Sequence, residues 1–362
     1  MEKHTLLSLA FLALFSFSCG CLAVLQSTVN QRLGVVLIGT LATVLSFTVG
    51  WVCLSVFVTV EAACHGLPLL FSWKAPPHWS IFFAGPIGAL FVQSSVYITL
   101  YIGFSLYYLF LVSGQLFAAI LADHFGYGVK DNERLPLTPS RGLFLLLALA
   151  GVLLSVVEGV NGFSPANLGW ALLSFLTGCA TLVQSVLNRQ HAALLPSKLQ
   201  SMWWSFTVGL AFALGMFGIH ALSLGPELQP TLARRVGDLQ PVLFIGGILG
   251  CVFVFGAVYV PNLIGSQAYS VALVSGQLVC SALLDSYGVL GISQKVPSPP
   301  RVVGIVLVLF AAAGMQVPLT ASQVWALLAL LGNARRPPPR ETGPASLRIS
   351  EPIASEPEAA AI

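Results

Sequence analysis

Residues 247–288 read GILGCVFVFGAVYVPNLIGSQAYSVALVSGQLVCSALLDSYG, an apolar run with a single charge at Asp285. Pro261-Asn262 and Gly265 interrupt it near the middle, as expected of two membrane helices joined by a short turn. The run has a twin. Residues 85–126 read GPIGALFVQSSVYITLYIGFSLYYLFLVSGQLFAAILADHFG and align with it without a gap, identical at 18 of 42 positions. Leu-Val-Ser-Gly-Gln-Leu stands at 111–116 and again at 273–278. Gly85, Gly88, Tyr97, Gly103, Tyr107, Asp123 and Gly126 return as Gly247, Gly250, Tyr259, Gly265, Tyr269, Asp285 and Gly288. Apolar sequences share Leu and Val by chance; they do not share Gly, Gln, Tyr and Asp in register. The chain is an internal duplication.

Composition fixes its solvent. Of 362 residues 56% are hydrophobic and 8% charged, against roughly 25% charged in soluble domains. Such a chain cannot cover itself for water, so it is read as an all-α polytopic membrane protein. Net charge is +3, which gives no reason to expect nucleic acid. The seven cysteines lie mostly inside apolar runs, with only Cys64 in a plausible loop. That spacing supports neither a disulfide framework nor a metal site.

Outward from the repeat, about ten spans emerge. The first apolar run, ending near Val29, looks like a secretory signal. However, its Gln26-Ser27 and Asn30 return as Gln184-Ser185 and Asn188 in an internal helix, so it is expected to be retained. A turn at 31–34 is expected before a second helix over 35–60, whose Ser-Phe-Thr-Val-Gly at 46–50 recurs at 205–209. Residues 1–160 form the first five-helix repeat, 161–166 a linker and 167–332 the second repeat. Residues 333–362, rich in Pro, Ala, Ser and Glu, read as a disordered tail.

Five is odd, so the second repeat crosses the membrane in the opposite sense to the first. Inverted repeats of this kind build many secondary transporters, with the substrate site near the midplane between them. Eleven of the sixteen Lys and Arg fall on the side bearing both termini, which places both termini in the cytoplasm. A plasma or inner membrane is the expected location.

Gly-Gln-Leu followed by Asp and Gly, the Ser/Pro-x-Arg opening the next helix, the early Gln-x-x-x-Asn and the Ser-Phe-x-x-Gly together resemble the YdcZ-type family. These are five-helix bacterial inner-membrane proteins of the drug/metabolite transporter superfamily. The resemblance runs from about residue 20 to 315, once per half. It implies a fusion of two inverted units and names no substrate. The small multidrug exporters of that superfamily depend on a glutamate in their first helix; none follows Glu2 here, so that mechanism does not carry over.

Gln115 and Gln277 sit in mid-helix, where a buried amide costs several kcal/mol unless its hydrogen bonds are met. They are expected to line a central cavity and orient substrate, or else to bond neighbouring helices. Gln26/Asn30 and Gln184/Asn188, four residues apart, share helix faces and are expected nearer the mouths. Tyr97 and Tyr259 could stack a ring-bearing or cationic ligand. Asp123 and Asp285 end helices while Arg141 and Arg301 begin the next ones, and these are expected to pair at a gate. An Asp at its own helix C-terminus opposes the macrodipole and so needs a partner.

No Walker-type loop, His-Glu-x-x-His or Gly-x-Ser-x-Gly occurs, so an enzyme, a metal site or a cofactor is not expected. The reading is a secondary transporter of a small metabolite or drug-like solute by alternating access, acting in the lipid bilayer as a monomer or homodimer. The alternative is a non-transporting membrane scaffold.

Overall fold

The computed structural model describes residues 2–68, 79–127, 138–157, 165–233, 236–264, 266–289, 294 and 298–314. Ten main helices carry the fold: α1 (Glu2–Val36), α2 (Gly39–His65), α3 (Ala84–Ile102), α4 (Phe104–Phe125), α5 (Pro139–Val157), α6 (Pro165–Leu194), α7 (Lys198–Leu224), α8 (Gly246–Tyr259), α9 (Ser266–Tyr287) and α10 (Pro299–Gly314). Eight spans are long and apolar enough to cross a membrane, and Pro139–Ser155 and Pro299–Gly314 are shorter apolar helices. This is a polytopic membrane protein of about ten helices. Glu158, Gly265, Lys74, Arg234, Arg235, the linker positions 161–164, the apolar piece 324–331 and the tail all lie outside the described residues, as does the side chain of Asp123.

The first turn falls later than the sequence suggests. Helix α1 runs on to Val36, and α2 begins at Gly39. The polar residues that mimic a loop are interior: Gln31 is buried and donates to Thr99 Oγ1 of α3 at 2.7 Å. Hydroxyls within α1 are satisfied by their own helix, as Ser27 and Thr28 bond the carbonyls of Ala23 and Val24. Between α3 and α4 one residue turns the chain. Gly103, at φ 81°, adopts a conformation that a side chain would strain.

The most extensive helix contacts have repeat-related counterparts. Helix α6 packs along α3 and α4, and α1 packs along α8 and α9; α3 meets α7 as α8 meets α2. On the pseudo-two-fold axis itself lie the pairs α2/α7, α4/α9 and α5/α10. The α2/α7 pair is antiparallel: Thr40, Phe47, Trp51 and Glu61 meet His220, Phe206, Trp203 and Ser197 in descending order. The inversion inferred from parity is therefore visible in side-chain contacts. The halves do not form separate bodies. Residues 1–318 make one compact unit, with α6 of the second repeat inserted among helices of the first.

Glycines make the tightest seams. A Cβ on Gly114 would collide with the Phe175 carbonyl, and one on Gly178 with that of Leu111. The related seam repeats this with Gly276 against Phe17 and Gly20 against Leu273. Without a hydrophobic drive between helices in lipid, such close backbone approach is what holds them together.

Candidate functional site

At the centre lies a cavity of about 30 Å³. Its twelve lining residues are six repeat-related pairs: Gln26/Gln184, Ser46/Ser205, Phe47/Phe206, Gly88/Gly250, Phe91/Phe253 and Val92/Val254. The pairs come from α1/α6, α2/α7 and α3/α8, so the axis passes through the cavity. Two aromatic pairs straddle it. Phe47 and Phe206 have ring centroids 5.3 Å apart, and Phe91 stacks on Phe253 at 6.4 Å with 19° between planes. A water needs roughly 10–15 Å³ of such space; the cavity is thus water-sized, and the two aromatic pairs narrow it.

Glycine seats both amides. A Cβ on Gly250 would stand 2.7 Å from Gln26 Nε2, and one on Gly88 2.6 Å from Gln184 Nε2. One turn along each helix, Asn30 is fully buried beneath Gly246, and Asn188 is buried at the related place. Gln26 Oε1, Ser46 Oγ, Asn188 Oδ1 and both amide atoms of Asn30 are buried with no hydrogen-bond partner. Of these, Gln26 and Ser46 line the cavity, and since buried polar atoms in native structures are nearly always bonded, a polar molecule there would meet unsatisfied partners. Among the described residues, no charged side chain lines the cavity.

The other expected residues go elsewhere. Gln115 and Gln277 do not line this cavity. Each follows a glycine pressed against a neighbouring backbone, so each lies in a helix seam: Gln115 donates to Thr181 Oγ1 of α6 at 3.2 Å, and Gln277 is fully buried beside α1. Ala23 occupies the position in α1 that Thr181 holds in α6, and both amide atoms of Gln277 are without a partner. Tyr97 faces a separate groove between α3 and α6. Tyr259 stacks on Phe255 at 4.2 Å, with Lys198 Nζ 4.7 Å above its ring.

Asp285 does not pair with Arg301. It is buried and accepts from Phe104 N at 3.0 Å, Ser105 N at 2.7 Å and Ser105 Oγ at 2.5 Å. The partner its position demanded is the N-terminus of α4, whose free N–H groups and positive dipole end suit a carboxylate. Arg301 stands in the first turn of α10 with Nε buried and unbonded. Arg141 occupies the first turn of α5, where its backbone N–H approaches Thr138 Oγ1 at 3.4 Å.

Sequence reasoning missed Ser46, Phe47 and Phe91 with their counterparts as cavity residues. The signal was present, since Ser-Phe-Thr-Val-Gly and Phe-Val recur in register, but a phenylalanine in an apolar run looks like packing. It also missed two closures at the ends of α2/α7. At one end Ser197, which caps α7 by accepting from Leu199 N, donates to Glu61 Oε2. At the other, Thr40 Oγ1 lies 3.0 Å from His220 Nδ1.

Two segments, 11–162 and 169–314, each match the model of one family, described as "Putative inner membrane exporter, YdcZ". The chain belongs to the YdcZ family. The family model matches once per repeat, so this YdcZ protein is a fused two-repeat form. A solved structure described only as "Crystal structure of protein" shares the fold, with TM-score 0.53 and 18% identity over 85% of this chain and 97% of that one. No curated protein matches the chain. Membership in a YdcZ exporter family supports an integral membrane protein with a transporter's role rather than an enzyme's.

Proposed function

We propose that this protein is a secondary transporter of a small, neutral polar solute, moved by alternating access through the central cavity. One observation carries the reading: the described lining of the cavity consists of repeat-related pairs, two of whose members, Gln26 and Ser46, carry an unbonded polar atom. A symmetric site between inverted repeats can face either side of the membrane with the same groups. Gln26 and Gln184 orient the solute, Ser46 and Ser205 add hydroxyls, and the phenylalanine pairs close over it. The lack of a charged lining residue argues for a solute without net charge, because an unpaired ion in hydrocarbon is costly.

The moving bodies are not the sequence halves. Glycine seams bind α4 to α6 and α9 to α1 by backbone contact, so the natural units are α3–α4–α6 and α8–α9–α1. Each Gln–Gly seat lies within one unit, whereas Phe91–Phe253 bridges the two and must part when the cavity opens. Both termini are placed in the cytoplasm by the charge distribution.

A binding panel tests this. The purified protein is melted against neutral polar metabolites, with charged ones for comparison. A bound solute raises stability by about 2.7 kcal/mol at roughly a hundredfold excess over its Kd, and that shift should be lost when Gln26 and Gln184 are both leucine. A shift that survives the double replacement would place the solute elsewhere.

A further inference from the structure

A second, larger space opens beside the first. Between α3 and α6 lies a groove of about 460 Å³, within the size range of small-molecule sites. Its rim faces outward: Leu90, Tyr101, Leu173 and Leu176 are roughly half exposed, and in a membrane such residues face lipid. Tyr101 stacks on Trp170 at 4.7 Å with 10° between planes, forming a flat aromatic wall. Two polar side chains of the same helix as Tyr101 reach the groove, Gln93 and Tyr97. Gln93 accepts from Thr43 Oγ1 at 2.6 Å and stands one turn before Tyr97 on α3.

Two facts separate this groove from an ordinary packing gap. The first is Phe91, which lines both the groove and the central cavity and is the partition between them. The second is what the described residues place at the related position across the axis. There Leu12, Phe15 and Phe253 pack onto a cluster of Cys19, Ala257, Val260, Tyr269 and Leu273. Trp170, Leu173 and Thr177 occupy the positions that Leu12, Phe15 and Cys19 hold in the other repeat, and Gln93 stands where that repeat has Phe255. Trp170, Thr177 and Gln93 thus give the groove an indole, a hydroxyl and an amide that the other repeat lacks at the related places.

We propose that the α3/α6 groove is a second binding site. It admits a neutral, ring-bearing amphipathic solute from the lipid phase, and the solute passes into the central cavity when that cavity opens by the parting of Phe91 from Phe253. The delivery step rests on the transporter reading, whereas binding in the groove does not. The stacked Tyr101–Trp170 wall takes the ring, and Gln93 with Tyr97 takes one polar group. Among the described residues no charged side chain lines the groove, so a cationic or anionic head would have no counter-ion among them.

Photolabelling of the full chain in proteoliposomes tests the proposal. The probe is a benzyl alcohol whose ring carries a trifluoromethyl-diazirine, and the labelled positions are read by mass spectrometry. Labelling within 87–101 and 170–180 should saturate with probe concentration. It should fall about tenfold, a loss equal to one decade of affinity, in Ala180→Phe and separately in Leu176→Trp. Phe91→Ala should carry label through to Phe253 and Val254. Melting temperature confirms that each variant is folded.

Label that rises linearly at the density found on lipid-facing α5 and α10 would overturn the site. So would equal labelling by a phospholipid bearing the same diazirine on its acyl chain, which would make the groove a lipid seat. Because labelling needs no flux, loss of transport with labelling intact contradicts the transporter reading and leaves the site standing. Flux without labelling does the reverse.

Discussion

Replacing Gln26 and Gln184 together by leucine should cut solute flux at least about a hundredfold while leaving a folded protein that melts no lower than wild type. Each amide is assigned one hydrogen bond to solute of roughly 1.5 kcal/mol, and two such bonds amount to about two decades in binding. Stability should move the other way. Gln26 Oε1 is buried without a partner, and an unsatisfied buried polar atom costs about 1–3 kcal/mol; leucine of similar volume removes that cost. Gln115→Leu with Gln277→Leu is the informative control. Those amides lie in helix seams away from the cavity, so that pair should transport normally. Flux assays and thermal melts on the two double variants separate a binding role from a packing role. Normal flux in the Gln26/Gln184 variant would remove the proposed site.

Asp285→Ala should destabilise the fold by about 3–5 kcal/mol, with melting as the measurement. The carboxylate is the acceptor for two backbone N–H groups and one hydroxyl at the start of α4. Truncation strands all of them in a buried setting, at about 1–3 kcal/mol for each unmet group. Asp285→Asn keeps one acceptor oxygen and should lose about half as much. The pair of variants also decides between two roles. A carboxylate that carries a coupling proton would lose flux on becoming Asn yet keep its melting temperature. A helix cap loses stability in both variants, and its remaining folded fraction transports.

Much of this architecture was written in the chain, and the reasons for the gaps are physical. Duplication was legible because Gly, Gln, Tyr and Asp recur in register; Gln26 and Gln184 stood out as a repeated pair expected nearer the mouths, whereas they line the central cavity. The most conspicuous repeat, Leu-Val-Ser-Gly-Gln-Leu, misled. Its identity reflects Gly114 and Gly276, whose lack of a side chain lets backbones touch, and the glutamines follow them into the seam. The partner of Asp285 was invisible because a backbone N–H carries no sequence label, so Arg301 was the only candidate that letters could offer. The insertion of α6 among α3 and α4 was hidden as well. Hydrophobic pattern says that a helix is buried in lipid or protein but not which neighbour it meets. Phe91 shows the same limit: nothing in an apolar run distinguishes a partition between two spaces from filler.

Alternating access makes one demand that a static scaffold does not: each end of the α2/α7 pair must open in turn. The two closures, Thr40–His220 and Glu61–Ser197, sit at opposite ends of that pair, close enough to be replaced by cysteines and crosslinked in a background free of native thiols. The decisive measurement is solute flux in proteoliposomes before and after crosslinking of each pair, alongside binding to the same protein. Locking either end should stop flux, leave binding in place, and be reversed by reductant. Undiminished flux with both ends fully crosslinked would contradict the account.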